Sequence, residues 1–179
     1  MSVTPPTVRL LRKGDVAWIA VCGRATLLHS PAVRAFARYW LRDRGGTLLL
    51  DLSKCRHMDS TFIGTLLCLQ RQIGDVGRGR LRVINPSEDS RRLLREMGVA
   101  DLFELAEGES PPEGEWTPLD PDTGGSSQVR ACALEAHHTL AGLAGTAGNV
   151  FARIAECLPP LAADGGEGAS ETTQPRQEG

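Results

Sequence analysis

The chain has 179 residues, 41% of them hydrophobic and only 4% aromatic, which suits one domain of ordinary size plus appendages, with a core built mainly from Leu, Val, Ile and Ala. No apolar run approaches the roughly 20 residues needed to cross a bilayer. The short apolar run of the N-terminal MSVTPPTVRLLRKGD is broken by Arg12 and Lys13, so neither membrane insertion nor a secretory leader is expected and the protein is read as cytoplasmic. The net charge of −2 conceals an asymmetry: residues 1–105 carry 17 Lys/Arg against 10 Asp/Glu (+7), whereas residues 106–179 carry 3 against 12 (−9).

Val8 to Leu11 and Val16 to Val21 read as two short strands around a turn at Lys13-Gly14-Asp15. Ser30 as N-cap and Pro31 in the first turn open a helix that carries Val33, Phe36, Ala37, Trp40 and Leu41 at helical spacing and ends at Gly45 and Gly46. Thr47 to Leu52 is a continuous apolar run, the pattern of a strand covered on both faces. The spacing then switches: Phe62, Ile63, Leu66, Leu67 and Leu69 follow Asp59, Ser60 and Thr61 in a helix from Ser60 to Ile73, stopped by Gly74 and Gly77. A hydroxyl at such a helix start lies beside outward-pointing backbone N–H groups, a setting that suits a phosphate. Leu81 to Ile84 is another strand, Asn85-Pro86-Ser87 caps a third helix ending at Gly98, and Leu102 to Leu105 forms a last short strand. The order ββαβαβαβ describes a single α/β domain.

Beyond it, residues 107–127 are rich in Pro, Gly and acids and read as a linker that cannot order itself, with Trp116 the one residue suited to docking on the domain. Residues 128–158 recover helical periodicity through Val129, Cys132, Ala133, Ala136, Leu140 and Leu143, break at Gly142, Gly145 and Gly148, and resume at Val150, Phe151, Ile154 and Leu158, which predicts a helical hairpin. Residues 159–179 form a polar tail expected to be disordered. The five cysteines are scattered, without a Cys-x-x-Cys pair, so they are read as reduced thiols, with Cys22 and Cys68 as small core residues and no metal site.

The run LLLDLSKCRHMDSTFIGTLLCLQRQ, followed by LRVINPSEDSRRLLREMGVADLFEL, resembles the STAS domain of anti-sigma-factor antagonists over about residues 6 to 106. Asp51, Asp59, Ser60, Thr61, Gly64, Asn85, Pro86 and Gly98 fit the places of that family's motifs. The resemblance implies an α/β domain with a mixed sheet flanked by helices, acting without catalysis or cofactor as a phosphorylation-controlled binding module that regulates transcription through partner switching. Its implied partners are an anti-sigma factor or serine/threonine kinase of the histidine-kinase-like ATPase type, and a phosphatase. The phosphorylated hydroxyl is then Thr61, with Ser60 the second choice; Asp51, Asp59 and Gly64 support it, and Ser60, Thr61 and Phe62 form the partner surface. One departure is Phe62, which stands where the family commonly has Gly.

Other readings stay open beside these. On the local pattern alone Thr61 suits helix capping, whereas the resemblance favours phosphorylation or partner contact, and Asp51 suits forming a turn or orienting the hydroxyl. STAS domains also serve as accessory subunits of lipid-transporting ABC complexes. His57, Asp59 and Ser60 supply the residue types of a hydrolase triad, but within one segment and without a nucleophile elbow, so catalysis is disfavoured. No phosphate-binding glycine loop is present, and Arg91, Arg92 and Arg95 are too few for a nucleic-acid stripe. The sequence does not set the oligomeric state.

Overall fold

The computed structural model describes residues 7–76, 79–122 and 127–143, together with Gly148 and Ala152. Strands β1 (Thr7–Lys13) and β2 (Val16–Ala25) form an antiparallel hairpin whose turn is closed by Gly14 at φ +60°. Helix α1 (Ser30–Arg38) follows a 3-10 turn at Leu27–His29 and runs on as a π turn to Asp43. Then come β3 (Thr47–Met58), α2 (Ser60–Val76), β4 (Arg80–Ile84), α3 (Glu88–Glu96) and β5 (Glu104–Ala106). A short strand β6 (Thr117–Leu119) and helix α4 (Ser127–Ala141) complete the described elements.

The six strands make one mixed sheet in the order β5-β4-β3-β2-β1-β6, parallel from β2 to β5 and antiparallel at β1. Alternation along each strand sorts side chains between unlike faces. Val8, Leu10, Ile19, Val21, Leu48, Leu50 and Leu52 enter the main core beneath the helices, joined by Val33, Phe62, Ile63, Leu66, Leu94 and Leu140. Leu11, Trp18, Leu49 and Ile84 form a smaller cluster on the opposite face. Trp40 closes the end of α1 by stacking on Phe36 and donating from Nε1 to Thr47 O at 3.0 Å.

That second face is covered by the segment read from sequence as an unordered linker. Trp116 packs against the smaller cluster and under the Arg9 guanidinium, Gly114 presses on Leu11, and Thr117–Leu119 pair with β1. The Asn85 side chain clamps this strap with both ends of its amide, Nδ2 donating to Glu109 O at 2.5 Å and Oδ1 accepting from Gly108 N at 2.9 Å. Asn85 holds φ +48°, a left-handed conformation that Asn tolerates better than most residues. The acids of the strap find cations on the domain: Glu109 pairs with Arg82 at 2.6 Å and Glu107 with Arg91.

Several boundaries differ from the sequence reading. The N-cap of α1 is His29, and Ser30 becomes its first residue, with a buried hydroxyl that meets no hydrogen-bond partner among the described residues. Gly74 does not stop α2, which continues to Val76. Residues 100–102 wind into a 3-10 turn, which moves β5 two residues later than predicted. The third helix is capped by Ser87 alone, whose Oγ accepts from Ser90 N at 3.1 Å. Cys22 and Cys68 are half-buried rather than core residues. The predicted second C-terminal helix and the tail lie outside the described residues, apart from Gly148 and Ala152.

Replacing Asn85 with Ala removes both amide bonds while keeping a residue with a Cβ at positive φ. The variant should lose about 1–3 kcal/mol in a denaturant melt, and hydrogen exchange should speed up selectively across residues 107–119.

Candidate functional site

The candidate site is built on the carboxylate of Asp59. Its Oδ1 accepts from Phe62 N at 2.8 Å, capping α2, while Oδ2 accepts from Leu27 N at 2.7 Å. One side chain thus caps α2 and ties its start to the turn before α1. The backbone repeats the link, since Asp59 N donates to Ala25 O and Ile63 N to Asp59 O, each at 3.1 Å.

Ser60 and Thr61 follow directly. Ser60 Oγ lies 3.4 Å from Nε2 of His137, which comes from α4, so the Ser60 environment is completed by a residue 77 positions away. Thr61 is only 5% exposed, and its carbonyl accepts from the Thr65 hydroxyl at 2.8 Å. The stripe that begins at Thr61 continues one and two turns later through Gly64, Thr65 and Cys68, and α4 packs along it. A Cβ on Gly64 would meet Ala136 Cβ at 2.7 Å, so the absent side chain is what allows the two helices their close approach. Gly64 therefore serves helix packing in this structure.

Further along, Glu135 of α4 enters a polar cluster. Its carboxylate pairs with Arg34 at 2.6 Å and Arg38 at 2.9 Å and accepts from the Cys68 thiol at 2.9 Å. Burial, with the adjoining Glu135 charge, pushes the Cys68 thiol up to about 11, so it stays protonated. Burial lowers the imidazoles of His29 and His137 below the ordinary 6.5, with the Asp59 carboxylate pulling the other way in both. His29 accepts from Thr26 N at Nδ1, which places its proton on Nε2.

Two expected site residues are placed elsewhere. Phe62, expected to be exposed on the partner surface, is 0% exposed in the main core, because the first turn of α2 is enclosed by the sheet on one side and by neighbouring helices on the other. Asp51, expected at a strand end near the hydroxyl, lies inside β3, which runs on to Met58. Strand alternation turns Leu50 and Leu52 to the helices and Asp51 to the opposite face. There it accepts from Ser53 N at 2.9 Å and lines a cavity of about 230 Å³ with Arg9, Lys54 and Trp116. The structure brings Asp59, Ser60, Thr61 and Gly64 together and leaves Asp51 out. Sequence reasoning missed Glu135, His137, Arg34 and Arg38, whose separation along the chain gives no local signal.

The triad grouping dissolves as well, since both oxygens of Asp59 are occupied by backbone N–H groups and the imidazole beside Ser60 is that of His137, not His57. Among the described residues no group of three or more His, Cys, Asp or Glu could hold a metal ion, and no helix is long and apolar enough to cross a membrane.

A family model described as "Mlab, STAS domain" matches residues 8–105. Among solved structures, the chain is similar to the anti-sigma factor antagonist SpoIIAA in its unphosphorylated form, at 19% identity over 57% of this chain and 88% of that one, with a TM-score of 0.48. It is also similar to the Bacillus cell fate determinant SpoIIAA in the phosphorylated form, at 19% identity over 57% and 91%, TM-score 0.46. An anti-sigma factor antagonist from Mycobacterium paratuberculosis aligns at 20% identity over 57% and 88%, TM-score 0.45. No curated protein matches.

Two outcomes follow from this geometry. Phe62→Ala should cost about 3–5 kcal/mol in a denaturant melt, the range for a buried aromatic. Because His29 and His137 are held below 6.5, the unfolded chain takes up protons first on acidification. Stability should therefore be full above pH 6.5 and fall as the pH drops below it toward the folded values. Replacing both with Gln should flatten that slope in melts measured across the range.

Proposed function

The chain belongs to the STAS-domain family, and from that premise we propose that it is a non-enzymatic binding module, an anti-sigma-factor antagonist whose partner switching is controlled by phosphorylation of Thr61. The observation that carries this reading is the Asp59-fixed start of α2. There Ser60 and Thr61 stand as adjacent hydroxyls beside a rigid backbone, with no general base assembled by Asp59. The unphosphorylated form binds an anti-sigma factor or kinase of the histidine-kinase-like ATPase type and so frees a sigma factor, and a phosphatase restores this form.

The physical basis of the switch is charge. A phosphate adds about −1.5 to −2 charges and three acceptor oxygens. Placed in a closed interface next to the Asp59 carboxylate, it is an uncompensated buried charge, which costs roughly 3–5 kcal/mol. At about 1.4 kcal/mol per decade, partner affinity falls 100-fold or more. The family membership supports the fold and the position of the hydroxyl. Partner and modification rest on the motif Asp59-Ser60-Thr61.

The test is a capture of the native partner followed by mass spectrometry of the chain after incubation with that partner and ATP. Phosphate on Thr61, its loss in Thr61→Ala, and partner binding by Thr61→Ala that ATP no longer weakens are expected. Modification confined to Ser60 would reject the assignment, and capture of an ABC-type ATPase in place of the kinase would replace the antagonist reading with that of an accessory subunit.

A further inference from the structure

We propose that α4 is a resident competitor for the partner surface: docked on α1 and α2 it closes the face that carries Thr61, and the true partner displaces it with a segment of the same chemistry. This rests on the reading of Thr61 as part of the partner surface. The docked helix shows what the face accepts. It takes a small residue opposite Gly64, here Ala136, a carboxylate between Arg34 and Arg38, here Glu135, and a polar side chain at Ser60, here His137. Val129, Cys132, Ala136 and Leu140 complete the apolar side of α4, all buried. A partner helix with a small residue followed or preceded by an acid therefore fits the vacated groove.

Two features make α4 suited to leaving. It spans only 15 residues, a length at which an isolated helix is marginal in water, so detachment and unwinding form one step. Its polar anchor is concentrated in one residue, since Arg34, Arg38, Cys68 and Gln72 all converge on Glu135. While α4 is docked, Thr61 is 5% exposed, and neither a kinase nor a partner reaches it. The apparent affinity for any partner is reduced by the fraction of molecules in which the groove is open.

The full chain tests this directly. In native-state hydrogen exchange of the unaltered protein, amides of α4 should exchange through an opening at least 10-fold more frequent than the opening that releases β3. Exchange of α4 only together with β3 would overturn the proposal. In Glu135→Lys, Cys132, which is 3% exposed in the closed form, should be alkylated at least 10-fold faster, and Arg34→Glu/Arg38→Glu added to it should restore protection. A synthetic peptide of residues 127–143 should bind Glu135→Lys at least 10-fold more tightly than the unaltered chain, and the same peptide with Lys in place of Glu135 should bind neither. Unchanged alkylation, or a peptide that ignores the open groove, would reject α4 as a competitor. These readouts do not involve Thr61 modification, so a positive peptide result with no phosphate on Thr61 in the open variant would remove the phosphosite reading and leave the competitor standing.

Discussion

Strand β3 has a hydrogen-bonded neighbour on each side and a layer on each face, and this double burial governs the rest of the molecule. Leu48, Leu50 and Leu52 require helices above them, and Leu49 requires a cover below. A parallel strand in this position cannot leave either face in water without exposing a continuous apolar row. The helices α1, α2 and α3 meet the first demand. Among the described residues the second is met by the strap beyond β5, where Trp116 and Gly114 lie against the Leu11, Trp18, Leu49 and Ile84 cluster. The matched domain region, residues 8–105, thus excludes part of what covers its own sheet.

The charge asymmetry has the same logic. Among the described residues, acids of the extension meet arginines of the domain in three places: Glu135 with Arg34 and Arg38, Glu109 with Arg82, and Glu107 with Arg91. These pairs keep 23% or more of each side chain in solvent, so each contributes little, on the order of 1 kcal/mol, and weakens with salt. They therefore set which segment lies where, while the apolar contacts of Trp116 and Leu140 supply most of the attachment. The two docked segments differ in how they are held. The strap is tied by backbone pairing of β6 and by the Asn85 amide. Helix α4 is held by packing of its Ala136 backbone and Cβ against Gly64 and by the ion pairs of Glu135 with Arg34 and Arg38.

Elements were legible in the sequence wherever local chemistry decided them. The hairpin at Gly14, the apolar run of β3, the switch to helical spacing at Ser60 and the Ser87 cap all arise from residues within one or two turns of each other. What was not legible depended on distant packing. Phe62 looked surplus to a single inward stripe, but α2 is enclosed on more than one side. The sign of this was available: no charged residue occurs between Ser60 and Gln70, the pattern of a helix buried nearly all round. Asp51 was misplaced because Ser53, Lys54 and Arg56 are polar enough to resemble a loop, whereas they extend β3 to Met58 past a register shift against β2. Trp116 could be singled out in a polar segment, yet the strand beside it has three residues and owes its pairing entirely to β1.

Gly64 shows how one residue can answer to two demands. The family resemblance assigned it to the hydroxyl turn, while the structure shows Ala136 at the place its Cβ would fill. The two roles converge if the face along Thr61, Gly64 and Cys68 exists to receive a helix, because close approach needs a missing side chain whichever helix arrives. Linkage then fixes the direction of control. Whatever favours the docked α4 lowers affinity for an external helix by the same factor that the external helix lowers docking. On the proposed reading a phosphate on Thr61 would add negative charge to the face along which α4 packs, and so would oppose an external helix and the docked one alike. On that reading the modified state would be open on this face but unable to bind, and removal of the phosphate would return the competition to the two helices.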